Sequence, residues 1–146
     1  MIREAEIKDI PAIIEMLKEQ IPETHLKLSE KGFSSRKISN IVRYCIKQGY
    51  VWVYEKDLPI GVILAERRYN LFSDWVEEVH LLAIYVKPEY RKGIAAGRLL
   101  KQFITKCDEQ EIPMIWIGSH KDSDLNEKVL GKLGFKLQEK FYLKER

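Results

Sequence analysis

The sequence predicts an α/β fold on a mixed sheet, with elements in the order β-α-α-β-β-β-α-β-α-β. Three observations carry this. Apolar residues recur at the 3.6-residue helical period in three separate stretches, within 10–21, 38–46 and 96–107. Between the second and third of these lie three strand-like runs joined by short connections, a meander. After them strand and helix alternate, as crossover connections do.

Residues 1–6 read as a short first strand. Asp9 can cap a first helix whose apolar face is Ile10, Ile13, Ile14, Leu17 and Ile21, with Pro11 in its first turn and Pro22 closing it. Residues 22–34 lack periodicity and read as a loop containing His25. Ser34 or Ser35 opens a second helix with Ile38, Ile41, Val42, Cys45 and Ile46 on one face, stopped by Gly49. Tyr50–Glu55 and Ile60–Tyr69 form a hairpin around Lys56-Asp57-Leu58-Pro59. Val76–Val86 is a longer strand, nearly continuous in apolar residues at its end, as a central strand should be. A third helix shows Ala96, Leu99, Leu100, Phe103, Ile104 and Cys107 on one side, and Met114–Ile117 is a fully apolar strand. Ser123 or Asp124 caps a fourth helix that ends at Gly134. Phe135 to about Lys144 is a final extended segment.

The length of 146 residues predicts one domain over 1–146 with a substantial core. Against 25 Lys and Arg stand 22 Asp and Glu, a net charge of +3 that suits an anionic ligand but does not indicate nucleic acid. No run approaches the ~18 apolar residues of a membrane span, and the start lacks a signal-peptide pattern, so a cytoplasmic protein is expected. Cys45 and Cys107 fall on apolar helix faces and read as reduced core thiols, without metal-ligand spacing. Trp52, Trp75 and Trp116 read as core or rim residues.

The most informative run is Ala83-Ile84-Tyr85-Val86-Lys87-Pro88-Glu89-Tyr90-Arg91-Lys92-Gly93-Ile94-Ala95-Ala96-Gly97. A strand, a Pro-started turn and a basic small-residue loop lead into a helix. That order puts free N–H groups beside Arg91 and Lys92, a place suited to a phosphate or pyrophosphate. A P-loop would need Gly-x-x-x-x-Gly-Lys-Ser/Thr, which the chain lacks. A dinucleotide fingerprint would need Gly-x-Gly-x-x-Gly, and here only Gly93 and Gly97 stand in the loop. A plain strand–helix connection with solvated basic residues is the remaining local reading.

Over nearly its whole length the chain resembles the GNAT-type N-acetyltransferases. The resemblance rests on Ile2-Arg3-Glu4-Ala5 followed by Asp9, the hairpin at Pro59-Ile60-Gly61, Ile84 through Arg91, and Lys132-Leu133-Gly134-Phe135, in that order and spacing. It implies a GNAT-like acyl-CoA N-acyltransferase fold and acetyl-CoA as co-substrate, with no metal. It also implies that the backbone of Ile84, Tyr85 and Val86 pairs with the pantetheine arm. The family loop Arg/Gln-x-x-Gly-x-Gly/Ala then falls on Arg91, Lys92, Gly93, Ile94, Ala95 and Ala96, with Ile94 where a glycine is expected. A shifted frame puts Gly93 and Ala95 on the small positions and Tyr90 first; both select the same backbone. Ser123 stands where the family's helix-four Asn is expected, with Asn126 three residues on; either can touch pantetheine, and a helix cap is the other role open to Ser123.

The same resemblance directs attention to His80, six residues before Val86, where relatives often carry a Glu or His base. Glu78 shares its face by strand alternation and can orient it. Histidine's ordinary pKa of about 6.5 suits a base near neutral pH; a polar pair on a sheet surface is the alternative. Relatives often carry a thiolate-protonating Tyr where this chain has Leu130, which leaves Tyr142, Tyr85 or water for that step. His120 lines the acceptor pocket or is an exposed loop residue. The expected function is acetyl transfer from acetyl-CoA to a primary amine of a small molecule, peptide or protein, directly in a ternary complex. The alternative is a non-catalytic acyl-CoA binding or sensing module. Neither a nucleic-acid nor a membrane partner is expected. Dimers are common in such families, and no residue here demonstrates one.

Overall fold

The structure is a computed structural model that describes residues 1–24, 32–120 and 123–145. Five strands form one sheet in chain order: β1 (Ile2–Glu4), β2 (Val51–Glu55), β3 (Pro59–Tyr69), β4 (Glu77–Val86) and β5 (Met114–Ile117). All neighbours are antiparallel except β4 and β5, which are parallel and joined across α3 (Ala95–Glu109). Helices α1 (Ile10–Gln20) and α2 (Ser35–Gln48) cover the opposite face, and α4 (Glu127–Lys132) follows β5.

Alternation along β2 and β3 divides the core between the faces. Trp52 and Ile63 pack with Leu99 and Phe103 of α3. Val51, Val53 and Val62 pack with Ile13 and Met16 of α1 and Val42 of α2. Full burial of each such side chain contributes roughly 1.5–3 kcal/mol. Cys45 and Cys107 are buried free thiols, and burial pushes each up to about 12. On the α3 side, a Cβ on Gly61 would lie 3.2 Å from both Leu99 Cδ1 and Val86 Cγ2, so this glycine lets helix and sheet approach.

Local signals explain most boundaries. Ser34 caps α2, its Oγ accepting from the Lys37 N–H at 3.1 Å, and Gly49 closes it at φ 79°. The expected Asp9 cap of α1 is corrected. Asp9 is itself helical (φ −83°, ψ −13°), and its carboxylate accepts from Arg3 and from the Glu6 N–H instead. α4 is capped by Asn126, whose Oδ1 accepts from the Val129 N–H at 3.1 Å, and not by Ser123 or Asp124. Ser123 turns its oxygen to the Leu125 N–H.

Two departures from the expected order matter more. Residues 135–145 form no strand. Glu139 interrupts their apolar alternation, four-residue β5 offers only a short edge, and Phe141 and Tyr142 are fully exposed. Second, β4 carries a bulge: Ala83 pairs with Leu64 but Leu81 with Ala65, leaving Leu82 as an extra residue. The bulge reverses the faces. Val79 and Leu81 pack toward α3, as do Ile84 and Val86, while Ala83 and Tyr85 pack toward α1 and α2.

Candidate active site

β4 and β5 pair from Glu78 with Met114 to Leu81 with Ile117, and β4 then runs on alone to Val86. This splay opens a cleft of about 640 Å3, lined by Ile84, Tyr85 and Val86, by Arg91, and by Ala96 and Gly97 of α3. The α3 N-terminus has no side-chain cap and no acid in its first turn. Its first N–H groups lack intrahelical acceptors, and the helix dipole favours an anion there. Arg91 is set by its Nε, which donates to the Val86 carbonyl at 2.7 Å, and by Glu23, whose carboxylate accepts from its guanidinium at 2.7 Å. From α1, the Gln20 amide donates to the Ile84 carbonyl at 3.0 Å. The cleft thus combines an exposed strand edge with a cationic, donor-rich end, which suits an extended ligand carrying phosphates at one end.

Of the eleven residues expected to bind the co-substrate, the cleft lining brings together Ile84, Tyr85, Val86, Arg91, Ala96 and Ser123. Lys92, Gly93 and Ile94 are exposed outside the lining, Ala95 is buried in the core, and Asn126 is spent on the α4 cap. Ile94, in the place of a family glycine, has φ −99° and ψ 0° and is more than half exposed. No left-handed backbone is required there, and its side chain is accommodated without strain. Sequence reasoning missed Gly97, Leu100 and Gln20 as lining residues. The first two follow from helical position once α3 is placed over the splay; Gln20 comes from a distant part of the chain and had no local signal.

His80 and Glu78 do meet. His80 Nε2 lies 2.7 Å from Glu78 Oε1, and the imidazole stacks on Trp116, with ring centroids 5.8 Å apart. Glu78 is 5% exposed and also accepts from Asn70 Nδ2 at 2.9 Å and Trp116 Nε1 at 3.1 Å. Burial is the largest influence on this carboxyl and pushes its pKa up. The bonds from Asn70, His80 and Trp116 together outweigh it and carry the pKa below the usual value, so Glu78 is an anion at neutral pH. Arg68 Nη2 lies near both ring nitrogens, 3.3 Å from Nδ1 and 3.2 Å from Nε2. His80 pairs with Trp116 one register step before the last β4–β5 pair, and neither His80 nor Glu78 is among the residues that line the cleft.

His120 and Ser123 line the cleft beyond β5. Leu130 is half-buried in α4 while Val129 faces the cleft. Tyr85 donates its hydroxyl to Glu19 at 3.0 Å and is pushed up to about 12, by burial first and then by Glu19. Tyr142 is 89% exposed and Trp75 is solvent-facing, whereas Trp52 is core. His25 lies outside the described residues. Among the described residues no three His, Cys, Asp or Glu gather as for a metal, and no helix is long and apolar enough to cross a membrane.

The sequence matches the model of the acetyltransferase (GNAT) family over residues 11–135, and the chain belongs to that family. Solved structures share the fold. A predicted acetyltransferase from Clostridium acetobutylicum, determined with acetyl-CoA, superposes with a TM-score of 0.77 at 16% identity, covering 99% of this chain and 95% of that one. Glucosamine-6-phosphate N-acetyltransferase from Arabidopsis thaliana gives 0.71 at 14% identity, over 99% and 97%. A transcriptional regulator from Bacillus halodurans C-125 gives 0.74 at 15% identity, over 100% and 99%. No curated protein matches the sequence. The family uses acetyl-CoA, and the fold itself hosts more than one described role.

Proposed function

We propose that this chain is an acetyl-CoA-dependent N-acetyltransferase that passes the acetyl group directly to a primary amine within a ternary complex. The observation that carries this reading is the cleft in which the part of β4 that β5 leaves uncovered meets the uncapped α3 N-terminus and Arg91. In this reading the N–H groups of Ala95, Ala96 and Gly97, with Arg91 and Lys92, hold the pyrophosphate, and the edge from Ile84 to Val86 pairs with the pantetheine amides. His80 accepts a proton from the amine, and Glu78 stabilises the imidazolium formed. The amine nitrogen bonds to the thioester carbon, the C–S bond breaks, and the imidazolium proton passes through solvent to the thiolate, which leaves as the thiol. The reading places the protein in the cytoplasm, in keeping with two buried, unbridged thiols.

The test is thiol release from acetyl-CoA across a panel of primary amines, with coenzyme A binding followed in parallel. Turnover on at least one amine is expected. Arg91→Glu should raise the coenzyme A Kd about tenfold at low salt, and the effect should shrink as salt rises. An unchanged Kd would remove the pyrophosphate from this site. One observation favours a second reading, a non-catalytic acyl-CoA binding module: Leu130 occupies the position of the family's usual tyrosine. Tight coenzyme A binding without turnover on any amine decides for it.

A further inference from the structure

A second hollow, of about 450 Å3, lies on the α1–α2 side of the sheet. Its walls are Leu17 and Ile21, Ile38 and Ile41, and Leu64 with Leu82. Lys37 is the one charged side chain in its lining, and no acidic group pairs with it among the described residues. The hollow and the cleft share two walls. Along β4, Leu82 and Ala83 line the hollow, and Ile84, Tyr85 and Val86 line the cleft. At the end of α1, Leu17 and Ile21 face the hollow while Gln20 faces the cleft. The bulge at Leu82 puts His80 on the hollow's face of the sheet, with Ala83.

Resting on the N-acetyltransferase reading, we infer that this hollow seats the carbon body of the acceptor. The acceptor is a primary amine on a compact aliphatic or aromatic group, and not a sugar amine or a polyamine. A hydroxylated body would lose its water against the Leu and Ile walls, with only the Ser34 and Lys37 side chains among the described lining residues to offer hydrogen bonds in return. A polyamine would bring further positive charge against Lys37. An apolar body gains from burial, and the volume is that of a small-molecule site. Leu82, two residues past His80, lines the hollow, so a body seated there can turn its amine toward His80 on the same face of the sheet.

The experiment is kcat/KM at saturating acetyl-CoA for the unbranched amines from ethylamine to hexylamine, with phenethylamine, glucosamine and spermidine alongside. Each added methylene should raise kcat/KM by roughly two- to fourfold, and phenethylamine should exceed glucosamine by about a hundredfold. A flat series, or preference for glucosamine or spermidine, overturns this inference and leaves N-acetyl transfer standing. Turnover on no amine defeats the enzyme reading instead. The hollow is then judged by calorimetric titration of hexylamine into the chain loaded with coenzyme A, where absence of binding overturns the inference as well. Ile41→Lys, with Leu82→Lys as a more exposed second variant, should bring the hexylamine-to-ethylamine ratio (or the hexylamine binding) close to nothing above background, with coenzyme A affinity retained. A ratio and binding unchanged in both folded variants overturn it.

Discussion

Asp9 and Glu78 are equally buried, each 5% exposed, yet they are held in opposite ways. Asp9 takes both arms of the Arg3 guanidinium, at 2.8 and 2.9 Å, and Arg3 also donates to Glu55 at 2.9 Å. A permanent cation closes that cluster, which ties β1 to β2 and to the start of α1. Glu78 is held by Asn70, Trp116 and His80, with the Arg68 guanidinium farther off, at 3.6 Å. Among its close partners is an imidazole, a group that can both accept and give up a proton. Burial of a carboxylate therefore does not distinguish structure from chemistry in this molecule; the nature of the donors does.

The comparison breaks first at His80. His80→Ala should lower kcat by about two orders of magnitude or more at neutral pH, the usual contribution of a general base, with coenzyme A affinity retained. A rate and pH profile like those of the parent would make the Glu78 cluster as structural as the Asp9 one. Next in size, Arg3→Met leaves Asp9 buried without its cation and should cost about 3 kcal/mol of unfolding free energy in denaturant titration. A loss within experimental error would show that the first cluster is not what ties the strands. Glu78→Gln should lower kcat about tenfold and alter the pH profile, because the amide keeps the volume but not the charge that stabilises imidazolium; its kinetic effect should exceed its effect on folding. The smallest effect is on acid stability. Both carboxyls have folded pKa values below their unfolded ones, Asp9 chiefly through Arg3, Glu78 through its three donors against burial. Their stabilisation is complete above the unfolded values near 4 and disappears as pH falls through the folded ones. Thermal melts should show Tm falling below about pH 4, and less steeply in Arg3→Met/Asp9→Leu. An equal slope would mean that other groups govern the acid limb.

The two clusters were not equally legible from the sequence. Spacing puts Glu78 and His80 on one strand face, and the structure joins them. Their other partners come from Asn70 and Trp116, reached only through the sheet, so nothing local announces them. Asp9 illustrates the opposite error. An acid before a helix reads as its cap, but Arg3 competes for the same oxygens and wins because two charged bonds outweigh one to a backbone N–H. The cationic, donor-rich end of the cleft was legible because a strand, a turn and a helix start are consecutive in the chain. The α1 contribution through Gln20 was not, since it depends on a fold-level meeting of residues 64 apart. Counting back from Val86 also misleads about face: Leu81-Leu82-Ala83 contains no Gly or Pro to betray the extra residue.

That extra residue has a mechanical consequence. A bulge bends its strand and increases local twist, and Leu82 follows directly on the last residue of β4 that pairs with β5. The place where the two strands part is thereby marked by a hinge in the backbone itself, one extra residue directly after the last pair. Such a hinge has no off-switch among point substitutions: replacing Leu82 alters the wall of a pocket and leaves the bend. Removing the residue would act like a missing tooth on a gear, swinging everything from Ala83 to Arg91 by half a turn and closing the space between the strands.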